Sequence, residues 1–266
     1  MQPVTLNAAD VSIWVSRLWW PMLRVGGFVL AAPIASETTI PGFVKIVMSL
    51  SLAFLMAPLV QVPAALSIFS AAGMLAAVQE VLIGVAIGMV VQLAFEALTL
   101  AGQSVSLTMG LGFATLVDPQ RGAQTTVLGQ MFMIFGMLTY LAVNGHLVLL
   151  GTLAESFQTL PIGITHIDRG FLLSVVLWGA RVFESGLLIA LPAVIALVIV
   201  NLALGVVTRA APQLNLFGIG FTITLMCGFF VLLADLDGIM TGISSLINSA
   251  LLAAADLVNA PAAGAH

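Results

Sequence analysis

Charge is scarce in this sequence. Lys, Arg, Asp and Glu make up 7% of its 266 residues, against roughly 25% in soluble domains. A chain so poor in charge cannot clothe itself in a water-compatible surface. With 61% hydrophobic residues and a mean hydropathy of +1.19, it is expected in a membrane or a membrane-embedded assembly. Its seven Lys and Arg are scattered singly and the net charge is −4. That leaves no basic cluster for nucleic-acid phosphates and no polybasic lipid-binding segment. Cysteine is reduced to one, Cys227, which excludes an internal disulfide and reads as a small buried hydrophobe in LMCGFFVLL. Histidine is almost as rare: His146 lies in an apolar stretch, His166 in a loop and His266 at the end. No His-Glu-x-x-His, cysteine pair or Gly-x-Ser-x-Gly occurs, so no enzyme activity, metal or cofactor is expected. Met1–Asp10 also lacks the basic n-region of a secretory signal, so an uncleaved N-terminus is expected.

Long apolar runs fill the rest. A bilayer core ~30 Å thick takes ~20 helical residues to cross, and about six stretches reach or approach that length. The first, Ser12–Ala35, carries Trp19-Trp20 as an interfacial anchor and Pro21 as a kink or helix start. Phe43–Val60 follows, closed by Pro58 and Pro63. The third, Ala72–Leu100, contains Glu80, Glu96 and the pair Gly84-x-x-x-Gly88, which lets another helix backbone come close. Val127–Phe157 is interrupted at Asn144-Gly145-His146. Phe171–Val207 would run roughly 55 Å as one helix; Pro192 divides it, so a hairpin or a kinked helix both fit. Thr208–Leu216 is a polar connector, and Phe217–Leu252 holds Asp235, Asp237 and Gly238-x-x-x-Gly242. Asp256–His266 reads as a loose tail.

Between the third and fourth runs lies Ala101–Thr126, AGQSVSLTMGLGFATLVDPQRGAQTT. It is too apolar for a solvent loop and too rich in Gly and Asp-Pro for a spanning helix. Non-helical backbone at membrane depth is tolerated only where protein buries it or it lines a cavity. The stretch therefore reads as an apolar, flexible element facing an internal path, although a buried re-entrant loop without a gate also fits. Leu107, Met109, Leu111 and Phe113 could form a hydrophobic constriction that gates by dewetting. Methionine is adaptable enough for a gasket, yet core packing is the default reading for Met131, Met133 and Met137 among the 12 methionines.

Charges inside apolar helices cost ~2.5–3.5 kcal/mol each at the bilayer centre, so each needs a partner or water. Arg181 and Glu184 stand i and i+3 on one helix face and are expected to form a buried pair. Arg24, Glu80, Glu96 and Asp235 are also inside apolar stretches. Glu80 and Glu96 have no cation within a turn and must find one on another helix or subunit, or sit near the interface.

Arg24-Val-Gly-Gly with Ala32-Pro33, Met109-Gly-Leu-Gly-Phe-Ala with Asp118-Pro119, Asn144-Gly-His146, Ser156-Phe157, Asn201-Leu-Ala-Leu-Gly205 and Arg209-Ala-Ala-Pro-Gln-Leu-Asn215 occur in this order. Together they resemble the FliR family of flagellar type III export-gate proteins, relatives of the SctT component of virulence secretion. The resemblance covers nearly the whole chain. It implies an all-α fold of membrane-associated helical hairpins with a glycine-rich plug-like loop, in a cone-like assembly placed largely above the bilayer plane. One domain is expected over residues 1–266: N-terminal helices and plug loop in 1–126, C-terminal helices in 127–252 and a tail in 253–266. It further implies one copy joined to FliP and FliQ, with FlhB-type and FlhA-type components nearby, in the basal body at the bacterial inner membrane. Unfolded flagellar proteins would pass through the shared channel. Ser106, Leu107, Met109, Gly110, Leu111, Gly112, Phe113, Asp118 and Pro119 match the family's plug. Arg209, Pro212 and Asn215 match its connector and take a structural role, while Gly84, Gly88, Gly238 and Gly242 are helix-packing positions. The alternatives are a small-solute transporter, which would show paired broken helices around a polar midplane site, and an assembly scaffold that never lines the path.

Overall fold

A computed structural model describes residues 8–37, 39–60, 66, 68, 70–111, 126–163, 167, 169–210 and 220–259. Among them are eight α-helices and no strand: α1 (Ala8–Ala31), α2 (Gly42–Met56, prolonged by a 3-10 turn, Ala57–Leu59), α3 (Ala71–Thr108), α4 (Val127–Ala142), α5 (Gly145–Thr159), α6 (Arg169–Ala210), α7 (Phe221–Ala234) and α8 (Leu236–Asn259). Four segments, Gly42–Leu59, α3, α6 and α8, are long and apolar enough to cross a membrane, or five if α4 and α5 count as one broken span. The expected count of about six is thus approximate.

Several boundaries differ from expectation for physical reasons. The third helix runs past Ala101 to Thr108, so Ser106 and Leu107 are helical rather than part of a loop. Pro192 lies inside α6 without ending it, because in a helix this long neighbouring turns hold the chain through one lost hydrogen bond. The final stretch is two helices, divided at Asp235, whose carbonyl accepts the Ile239 N–H at 2.9 Å and opens α8. Helix α8 also continues through Asn259, into what reads as tail. The break at Asn144 stands where Asn-Gly announces it. Asn144 has φ 55°, a left-handed conformation that asparagine accepts more readily than most residues.

The residues group into two compact units. One comprises Met1–Gln92, Asn144–Gly179 and Ala250–His266; the other Leu93–Val143 and Ala180–Ser249. In the first, α1 and α3 touch backbone to backbone. A Cβ on Gly84 would collide with the Arg24 carbonyl oxygen, one on Gly88 would lie 2.7 Å from Ala32 N, and one on Gly27 would strike Val81 O. Trp20, expected at an interface, is instead fully buried beside Ala76 and Ile162, while Trp19 remains 39% exposed. In the second unit, glycine again permits the approach of α3 and α4: a Cβ on Gly102 would sit 2.5 Å from Leu128 O. Phe95 and Tyr140 meet edge to face at 5.7 Å across the same pair of helices.

Neighbouring glycines of α1 therefore have opposite consequences. Gly27→Ala is expected to lower the melting temperature in detergent, with a cost toward the upper end of the ~1–3 kcal/mol of an overpacked core, because its obstacle is backbone. Gly26 meets nothing within 4 Å, so Gly26→Ala is expected to leave melting unchanged or raise it slightly. Equal melting temperatures for the two variants would contradict this packing.

Candidate functional site

Helix α3 ends in a tight, fully bonded cap. The Gly110 N–H donates to Leu107 O and the Leu111 N–H to Ser106 O, both at 3.0 Å, with Gly110 at φ +82°. This is the Schellman arrangement, in which a left-handed residue satisfies the last carbonyls of a helix. Gly110 thus serves to end a helix, which explains the glycine without any bend inside a loop. The Thr108 carbonyl, also orphaned by the helix end, accepts the Asn201 carboxamide N–H at 3.0 Å.

The apolar side chains of this segment divide. Met109 is completely buried and Leu107 is 64% exposed; Leu111 is half-buried. The Met109 side chain fills the space over Gly228 of α7, its Cγ and Sδ lying 2.7 and 2.8 Å from where a Cβ would stand. Beside it opens a cavity of about 530 Å³ with Leu107, Leu204 and Phe221 among its apolar walls and Asn201 and Thr224 as polar groups. Ser106 is fully buried, and its Oγ has no hydrogen-bond partner among the described residues. Gly112, Phe113, Asp118 and Pro119 lie outside the described residues.

The other unit holds a buried ion pair. Arg24, at 0% exposure, donates to both oxygens of Glu80, Nε to Oε2 at 2.7 Å and Nη2 to Oε1 at 3.0 Å. Its remaining N–H groups reach Ser156 O at 2.6 Å, Ser156 Oγ at 3.1 Å and Leu160 O at 2.8 Å. All donors of the guanidinium fork are used. The ring of Phe157 lies 4.4 Å from Cζ, a cation–π contact. The cation also meets the carbonyl end of α5, where the helix dipole favours it. Glu80 thereby finds its cation on another helix of this chain.

Elsewhere the chosen residues are spread apart. Arg181 and Glu184 are exposed on α6 rather than buried, and no ion pair joins them; the spacing put them on one face, but that face is open. Gly84 and Gly88 face α1 within this chain. Gly242 seats Ile189 of α6, whose Cγ1 would lie 2.8 Å from a Cβ placed there. Gly238 does not pack a helix: it is exposed and leaves room for Asp235 Oδ1, 2.5 Å from where its Cβ would stand. Arg209 is exposed in the last turn of α6, and Pro212 and Asn215 lie outside the described residues. Gly228 and Thr224 escaped the sequence reading altogether, since each acts only through a distant partner.

A family model described as bacterial export proteins, family 1, matches residues 15–250. The flagellar biosynthetic protein FliR of Escherichia coli (strain K12) is 40% identical over 83% of this chain and 84% of its own length. The chain belongs to the FliR family. The FliR of Pectobacterium carotovorum subsp. carotovorum is 39% identical over 86% of this chain and 87% of its own. Across a wider distance, that of Bacillus subtilis (strain 168) is 28% identical over 85% and 88%. As a FliR-family protein with apolar helices long enough to cross a bilayer, the chain is a membrane-embedded component of the flagellar export apparatus. The FliR family is a structural export family rather than one of known enzymes.

Proposed function

We propose that this chain is a non-enzymatic subunit of the flagellar type III export channel in the bacterial inner membrane. One copy joins FliP and FliQ, and together they line and close the path taken by unfolded flagellar proteins, with FlhB-type and FlhA-type components alongside. The end of α3 carries this reading. It presents buried Met109 beside exposed Leu107 at the start of an apolar, glycine-rich stretch, the composition of a seal that closes by excluding water. The surface is consistent with many subunit and lipid contacts: Phe43, Phe54, Val127 and Phe230 are 73–77% exposed, far more apolar surface than a soluble monomer leaves open.

Co-expression with FliP and FliQ, purification in mild detergent and native mass measurement test the assembly. The expected result is one large complex with a single copy of this chain. A free monomer or homodimer would overturn the reading.

A further inference from the structure

We propose that Asn201 is the positioning residue of the gate segment, and that with Thr224 and Gly228 it forms a latch holding the end of α3 closed. The inference rests on the gating role proposed above and adds the residues that set it. Asn201 stands on α6, remote in sequence from the segment it holds. Its Nδ2 donates to Thr108 O at 3.0 Å, and its Oδ1 accepts from Thr224 Oγ1 of α7 at 3.1 Å. The Thr224 hydroxyl has one proton, for which Gly220 O, 3.0 Å away, is the other acceptor. The Thr108 carbonyl thus takes the amide N–H of Asn201, and the carboxamide oxygen faces α7, where it shares the Thr224 proton with Gly220 O.

One residue further on, Met109 lies over Gly228 so closely that any side chain there would displace it. Polar tie and apolar seat thus act on adjacent residues, Thr108 and Met109. Both surround the cavity of about 530 Å³, which gives the segment a space to move into once released. A carbonyl held by one carboxamide and a flexible thioether resting on a glycine are contacts that break and re-form at small cost. The buried Arg24 cluster, with every donor used, is the opposite case. Opening requires the Thr108–Asn201 bond to break and Met109 to leave Gly228.

The test uses the assembled complex with FliP and FliQ. Met109 Cγ lies 2.7 Å from where a Cβ at position 228 would sit, near the position of a bridging sulfur. In a Cys227→Ala background, Met109→Cys with Gly228→Cys is expected to cross-link on oxidation, stop export, and recover on reduction. Asn201→Leu is expected to raise resting ion leak about tenfold, the size of one or two lost hydrogen bonds, with complex yield unchanged. Adding Thr224→Val to it should change little, because the two residues act as one unit. Failure of the cysteine pair to cross-link, or undiminished export from fully cross-linked complexes, would overturn the latch. So would a silent Asn201→Leu variant when deletion of Leu107–Phe113 leaks. If that deletion does not leak either, the gating role itself fails.

Discussion

Arg24→Leu is expected to abolish flagellar assembly by removing the folded chain from the membrane. The substitution leaves Glu80, 2% exposed, as an uncompensated buried carboxylate, and it strips Leu160 O of its donor, while Ser156 O keeps the Leu160 N–H. Breaking a buried pair from one side costs about 3–5 kcal/mol, a large part of the 5–15 kcal/mol that holds a typical domain together. The double variant Arg24→Leu/Glu80→Leu is expected to recover part of this loss, because replacing both charges removes the desolvation penalty along with the attraction. Recovery stays incomplete, since the Leu160 carbonyl at the end of α5 remains without its donor, at ~1–3 kcal/mol for an unsatisfied group. Membrane abundance and the melting temperature of purified complexes read both effects. An Arg24→Leu chain that accumulates and melts like the wild type would show that the cluster contributes little.

Deletion of Leu107–Phe113 is expected to raise the conductance of purified export complexes in planar bilayers by up to about a hundredfold, the ceiling for a gate closed in 99 of 100 complexes. The complexes themselves are expected to assemble. The packing upstream does not depend on the deleted residues: Gly102 holds α3 against α4, and Gly186 of α6 packs so closely on α3 that a Cβ there would lie 2.7 Å from Ala97 O. The deletion removes the Schellman cap, the buried Met109 and the exposed Leu107 together. Conductance at the wild-type level in intact complexes would mean that this segment does not form the seal.

The sequence made the helical architecture legible wherever the signal was local. Hydrophobic length marked the helices, and Asn144-Gly145 marked the break before α5. What it concealed depends on contacts between distant residues. Glu80 called for a cation, but nothing local identified Arg24, which becomes its neighbour only because Gly84 and Gly27 let α1 and α3 touch. Gly102 read as the start of a loop, whereas it is a helix-interior glycine whose missing side chain admits the backbone of α4. Gly110 read as part of a flexible, plug-like loop and is a helix cap. For Arg181 and Glu184, spacing correctly put both on one helix face; whether that face is buried depends on tertiary packing, which spacing does not encode. Thr224 and Gly228 offered no local signal, because a threonine and a glycine in an apolar helix are unremarkable until Asn201 and Met109 are placed beside them.

In the proposed channel the end of α3 borders the export path. A photo-crosslinking amino acid in place of Met109, in complexes stalled with an export substrate, tests this most directly. A covalent adduct to the substrate is expected when the channel is occupied, and an adduct to position 228 or its neighbours when it is empty. The same internal adduct in both states, with no substrate captured while exposed positions of FliP or FliQ do capture it, would make this chain a scaffold outside the path.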